Sequence, residues 1–133
     1  MRIISGTHKG RRIVAPKKLP VRPTTDRSKE ALFNILQHQY DWSSIRVLDL
    51  FSGTGSISYE FASRGVTEVF SVDKNSNCIK FIQKTAEKLD FEINTIQGDA
   101  LKYLFSINID FDLHLLDKAD FLASFFTFLL SLT

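Results

Sequence analysis

The run Val47-Leu48-Asp49-Leu50-Phe51-Ser52-Gly53-Thr54-Gly55 constrains the fold of this chain more than any other stretch. An apolar strand pattern ends in an acid, and two glycines follow almost at once. Such a run turns sharply from a strand into a helix, as in the nucleotide-side loop of an α/β fold. Without a Cβ, Gly53 and Gly55 admit positive φ and let a ligand reach the main chain. The N–H groups at the start of the next helix favour an electron-rich group. Asp49 stands at the strand's C-terminal end, the edge where open α/β sheets bind ligands. An ordinary strand-to-helix turn needs the same glycines, so the pair alone does not decide.

Two further strands follow the same grammar. Residues 68–72 read as a buried strand ending at Asp73, which lies 20 positions after Gly53. An acid near that spacing accepts hydrogen bonds from ribose hydroxyls in nucleotide-binding α/β folds, and charge-assisted bonds of that kind are the strong ones. Residues 92–97 read as a third strand, followed by Gly98-Asp99-Ala100. Asp73 and Asp99 also stand where helix N-caps stand, since Asp is favoured there. The dinucleotide fingerprint asks for a third glycine where this chain has Ser58. The spacing from Asp49 to Gly53 instead resembles motif I of S-adenosylmethionine-dependent methyltransferases. That resemblance implies Asp49, Phe51, Gly53 and Gly55 around the methionine part of the cofactor, Asp73 on the ribose and Asp99 on the adenine amine.

The beginning of the chain narrows the family. Met1-Arg2-Ile3-Ile4-Ser5-Gly6, Gly10-Arg11-Arg12, Arg22-Pro23-Thr24-Thr25-Asp26-Arg27 and Glu30-Ala31-Leu32-Phe33-Asn34 stand in order. Together they resemble the bacterial 16S rRNA (guanine-N2)-methyltransferase family, the ribosomal small-subunit methyltransferase D type. The resemblance covers roughly residues 1–112. It implies a Rossmann-like methyltransferase domain with a small N-terminal β-hairpin that helps hold RNA. It also implies methyl transfer from S-adenosylmethionine to the exocyclic amine of one guanine in 16S rRNA or a partly assembled small ribosomal subunit.

Charge agrees independently. Residues 1–30 carry nine Lys or Arg and two acids, a net of +7, whereas residues 31–133 carry a net of −5. Positive charge gathered at one end neutralises phosphates and positions nucleic acid without reading sequence; a solvated basic arm would show the same asymmetry. Arg2, Lys9, Arg11, Arg12, Arg22 and Arg27 are the candidate RNA contacts. Cys78 is the only cysteine, which excludes an intrachain disulfide and a cysteine zinc cluster. His8, His38 and His114 show no metal-ligand spacing, so no metal is expected. The N-terminus is basic with no apolar core after it, which reads as no signal peptide. The expectation is a cytoplasmic, monomeric enzyme with no membrane association.

A hairpin is expected over residues 1–15, a linker over 17–23 and a helix over 26–39 with Leu32, Ile35 and Leu36 as its apolar stripe. Strands follow at 45–50, 68–72, 92–97 and 111–116, with helices after Gly55, around Ile79, Ile82, Ala86 and Leu89, and over 99–105. Strands alternating with helices imply a parallel, doubly wound sheet. The domain reading is a basic hairpin and linker (1–23), an incomplete methyltransferase domain (24–116) and a divergent apolar tail (117–133).

The tail is where the resemblance breaks. The family carries an acid-Pro-Pro-aromatic signature after its fourth strand. Asp117 holds the acid's place here and is the candidate catalytic residue, but Lys118 and Ala119 replace the prolines. The signature matters because a guanine amine is a poor nucleophile, its lone pair being delocalised into the ring. The acid and a neighbouring carbonyl aim that lone pair, and the aromatic residue stacks on the flipped base. Residues 121–133 carry no charge and are too few to span a bilayer, which needs about 20. The tail reads as an altered frame or a truncated gene, or else as a hydrophobic partner-binding helix. The expected consequences are an exposed edge at the fourth strand, C-terminal strands that are missing, and weak or absent catalysis. The alternative function is a catalytically silent RNA-binding module.

Overall fold

The computed structural model describes residues 1–20, 24–106, 113–116 and 126–128. The chain first folds back on itself. The Ile3 N–H donates to the Arg11 carbonyl (2.9 Å), the Gly10 N–H to the Ile3 carbonyl (2.8 Å) and the Ile13 N–H to the Met1 carbonyl (2.9 Å). Arg2 and Arg12 form one antiparallel bridge. The expected hairpin is thus present in reduced form, closed by a bridge rather than a ladder.

Helix α1 (Asp26–Leu36) starts at Thr25, whose hydroxyl accepts the Ser28 N–H at 3.1 Å. It stops at Leu36 rather than at residue 39, because the next three residues tighten into turns on the Phe33, Ile35 and Leu36 carbonyls. Its buried face is Lys29, Leu32, Phe33 and Leu36. Ile35, expected in the apolar stripe, is 61% exposed; at 3.6 residues per turn it falls outside the arc that those four share.

The remaining elements are β1 (Arg46–Asp49), α2 (Ser56–Ser63), β2 (Glu68–Asp73), α3 (Ser76–Leu89), β3 (Ile93–Gln97), α4 (Ala100–Ser106), β4 (Leu113–Leu116) and β5 (Phe126–Phe128). The sheet order is β3-β2-β1-β4-β5. β1 pairs in parallel with β2 on one side and β4 on the other, so the strand order reverses beside β1. Crevices for ligands form at such reversals, outside the carboxyl ends of the strands.

Alternation along the strands sends side chains to two layers. Val47 and Val69 pack with Leu32, Phe33, Leu36, Ile57 and Phe61 of α1 and α2. Leu48, Leu50 and Val72 pack with Ala100, Tyr103 and Leu104 of α4 on the opposite face. The hairpin adds Ile3 and Ile13 to a third cluster with Tyr59, Ile82 and Leu89. α2 is buried almost all round, which marks it as the central helix.

A further expectation fails at the sheet's edge. β4 is not the edge of the sheet, because β5 from the tail pairs with it antiparallel from His114↔Phe128 to Leu116↔Phe126. Phe126-Thr127-Phe128 combines aromatic and β-branched residues suited to a pleated surface, and pairing covers backbone groups that β4 would otherwise expose.

Candidate functional site

The loops after β1, β2 and β3 meet at one edge of the sheet. After β1 the chain passes Gly53 (φ 53°) and Gly55 (φ 86°), both left-handed, and Gly55 caps α2. A side chain at Gly55 would lie 2.6 Å from the Tyr59 ring and 2.9 Å from Ile82. The glycine is therefore required twice, by backbone angle and by space. Ser52 anchors the loop to the next strand: its N–H and its hydroxyl both donate to the Val72 carbonyl, at 3.1 Å each.

Asp73 is the hub. One carboxylate oxygen accepts the Gly53 N–H (2.8 Å) and the other accepts the Asn75 N–H (2.8 Å). Its own carbonyl accepts the Gly98 N–H at 3.0 Å. One residue therefore ties all three loops together. A carboxylate has roughly four lone-pair sites, and two backbone donors leave room for two hydroxyl donors. Asp73 as a whole is half-buried rather than sealed.

Asp49 sits differently. It is 1% exposed, and its Oδ2 accepts the Ser58 hydroxyl at 2.7 Å. Ser58 also lies 2.5 Å from the Ser71 hydroxyl. With the Ser58 proton on Asp49, Ser71 donates to Ser58. The serine that replaces a fingerprint glycine thus links β1, α2 and β2. Phe51 is half-buried against the Leu48, Leu50, Val72 and Ala100 cluster. Asp99 is exposed and caps α4, accepting the Lys102 N–H at 3.0 Å. That bond holds its carboxyl below the usual range, with help from the Leu101 N–H and the Lys102 and Lys74 charges. Cys78 is buried on α3; burial and the nearby Asp73 push its thiol up to about 11.

Three acids at one sheet edge suit a ligand rich in hydrogen-bond donors and positive charge. S-adenosylmethionine has an ammonium, a ribose diol, an adenine amine and a sulfonium. Asp73, whose carboxylate accepts two main-chain N–H groups among the described residues beside the Gly53 loop, fits it best of the three.

The basic end is organised by residues that sequence reading missed. Glu60, fully buried on α2, accepts the Ile4 N–H (2.8 Å) and the Ser5 N–H (3.1 Å). It also pairs with Lys29 (3.4 Å) and with Arg64 (2.8 Å). Lys29, 1% exposed, donates to the Arg2 carbonyl at 2.6 Å and to Ser56 at 3.1 Å. Burial pushes its ammonium below the usual lysine range, while the charges of Glu60 and Asp26 oppose that shift. Lys29 counted toward the +7 of the first 30 residues, yet it faces inward and cannot meet a phosphate. Arg2, Lys9, Arg11, Arg12 and Arg27 are all exposed. Arg22 and Asp117 lie outside the described residues. The clue to Glu60 was a lone charge in an otherwise uncharged helix, four residues before Arg64.

Fold and edge together define a Rossmann-like domain of the methyltransferase class. Solved structures agree: a putative methyltransferase of Escherichia coli is 27% identical with a TM-score of 0.68, over 78% of this chain and 55% of that one. A putative methylase of Haemophilus influenzae is 28% identical with a TM-score of 0.65, over 85% of this chain and 61% of that one. The family model described as Conserved hypothetical protein 95 matches residues 1–117, and the chain belongs to that family, whose named relatives include ribosomal small-subunit methyltransferases of the D type. The putative rRNA methyltransferase YlbH of Bacillus subtilis is 38% identical over 90 residues, 68% of this chain and 48% of its own length. Ribosomal RNA small subunit methyltransferase D of Buchnera aphidicola is 30% identical over 118 residues, 88% of this chain and 60% of its own length. The chain spans about half the length of the curated relatives it matches. Among the described residues no helix is long and apolar enough to cross a membrane.

Proposed function

We propose that this chain carries the cofactor half and an RNA-holding half of an S-adenosylmethionine-dependent enzyme that methylates the exocyclic N2 amine of a guanine in 16S rRNA. The observation that carries this reading is Asp73, a half-open carboxylate seated on the Gly53 N–H at the sheet's ligand edge. When bound, S-adenosylmethionine supplies a methyl group on a positively charged sulfur. Asp73 accepts the ribose hydroxyls on its remaining lone pairs. Asp49, Phe51, Gly53 and Gly55 surround the methionine part, and Asp99 accepts from the adenine amine. Asp117 accepts from the guanine amine and aims its lone pair. The exposed cations Arg2, Lys9, Arg11, Arg12 and Arg27, together with Arg22, hold the RNA of the small subunit or its precursor particle by its phosphates.

Tritium transfer from labelled S-adenosylmethionine to undermethylated small-subunit particles tests the reaction, with a full-length relative as control. Lys118 and Ala119 replace a stiff proline pair, and a misplacement of about 1 Å can cost on the order of a hundredfold in rate. The expected result is label on guanine N2 of 16S rRNA at a rate at least about a hundredfold below the control. Label on another base would contradict the substrate assignment. Binding of both cofactor and RNA with no transfer at all would favour a catalytically silent RNA-binding module.

A further inference from the structure

A cavity of about 360 Å³ opens between the hairpin and α1, away from the cofactor edge. Its walls carry Arg2 and Lys9 from the hairpin, Glu30, Asn34 and Gln37 from α1, and Arg64 from the end of α2. Positions 30, 34 and 37 share one helical stripe, so their side chains line one wall. Arg64 is fixed: its Nε donates to Glu60 at 2.8 Å and its guanidinium lies 4.5 Å over the Phe33 ring. Arg2, Lys9 and Glu30 are exposed and form no ion pair among the described residues.

We propose that this groove binds one unstacked nucleotide of single-stranded RNA, chosen for a base that carries an exocyclic amine. The proposal rests on the RNA reading above and adds a second, base-reading subsite distinct from the reaction edge. The volume lies within the range of small-ligand sites, roughly 300–1,000 Å³. Arg2 and Lys9 supply the phosphate contacts, which position without specifying. Asn34 and Gln37 each offer a donor and an acceptor to a base edge. Glu30 offers only acceptors, so it repels a bare phosphate and needs a donor such as an amine. Uracil has none. Sequence-specific RNA recognition works through unstacked single-stranded bases of this kind. Ile3 and Ile4 are the apolar residues among the described lining, short of the i, i+3, i+4, i+7 row of anchors that a peptide helix would need. The hairpin connects groove and reaction edge, since Met1 Sδ lies 3.9 Å from the Thr54 hydroxyl in the β1–α2 loop. The groove therefore holds a nucleotide near the target rather than the target itself.

Fluorescence anisotropy on the 133-residue chain tests this with labelled oligo(A), oligo(C) and oligo(U) octamers. The parent is expected to bind oligo(A) or oligo(C) at least roughly fivefold more tightly than oligo(U). Glu30→Ala with Asn34→Ala is expected to erase that preference while leaving the salt slope unchanged. Both residues are exposed, so an unchanged melting temperature checks that the variant is folded. Arg2→Ala with Lys9→Ala is expected to weaken all three oligomers alike and to lower the salt slope by roughly one to two units. No preference in the parent, or a preference that survives Glu30→Ala with Asn34→Ala, overturns the groove proposal. Displacement by polyglutamate as readily as by unlabelled RNA also overturns it, by making the groove a general anion site. Failure of the RNA reading itself looks different: no oligomer binds even at low salt, and Arg11→Ala with Arg12→Ala changes nothing.

Discussion

Glu60 and Asp73 each accept two main-chain N–H groups, Glu60 from Ile4 and Ser5 and Asp73 from Gly53 and Asn75. Their settings differ in exposure and in paired charge. Glu60 is sealed, with no exposure and with Lys29 and Arg64 against it, so all its acceptor capacity goes to the protein. Asp73 is half-buried and forms no ion pair among the described residues, which leaves part of its capacity for a ligand. The first carboxylate docks the basic hairpin on α2; the second ties together the loops of the proposed cofactor edge. Exposure and paired cations, rather than the number of backbone donors, distinguish the two settings.

The sharpest way to break this contrast is Glu60→Ala. Removing one partner of a buried ion pair leaves the other charge uncompensated, at a cost of about 3–5 kcal/mol. Urea unfolding of the parent and variant measures this. A loss under about 1 kcal/mol, the scale of a surface pair, would mean that Glu60 is no anchor.

Arg11→Ala with Arg12→Ala probes the hairpin's outer face, and the expected effect is intermediate. Both arginines are exposed, so stability should hold. The slope of log affinity against log salt for small-subunit RNA should fall by roughly one to two units. An unchanged slope would make them a solvated surface.

Asp99→Asn has the smallest expected effect, because Asn caps helices about as well as Asp. Its consequence is a change in pH dependence. The Lys102 N–H lowers the folded-state value, so the ionised form contributes stability above the unfolded value near 3.8, and this is lost as pH falls through the folded value. Melting temperatures of parent and variant should converge toward low pH and differ slightly above about pH 4. A gap that stays constant from pH 6 to pH 2 would separate Asp99 from the acid limb.

The loop from β1 into α2 was largely legible in the sequence because backbone geometry dictates residue type there. Left-handed angles at Gly53 and Gly55 leave few alternatives to glycine, and apolar runs ending in acids mark where strands stop. The hairpin anchor was not legible. A lone charge in α2 marks Glu60 as unusual, but its partners are amides 55 and 56 positions away, and no local pattern names them. Lys29 was hidden by the same long-range packing, which turned one member of a basic segment into a buried donor. Asp99 shows the limit from the other side: an acid at this position suits a helix cap and a ligand edge alike, and the cap is what the fold displays. β5 escaped because an uncharged tail gives no strand boundaries to read.

The account stands most directly on whether Asp73 holds the cofactor. Isothermal calorimetry with S-adenosylhomocysteine, at a temperature where parent and Asp73→Ala are both folded, measures it. Loss of charge-assisted hydrogen bonds predicts weakening by roughly 1.5–3 kcal/mol, with Arg11→Ala and Arg12→Ala leaving the affinity unchanged. Equal affinity in Asp73→Ala and the parent would contradict the assignment of this edge as the cofactor site.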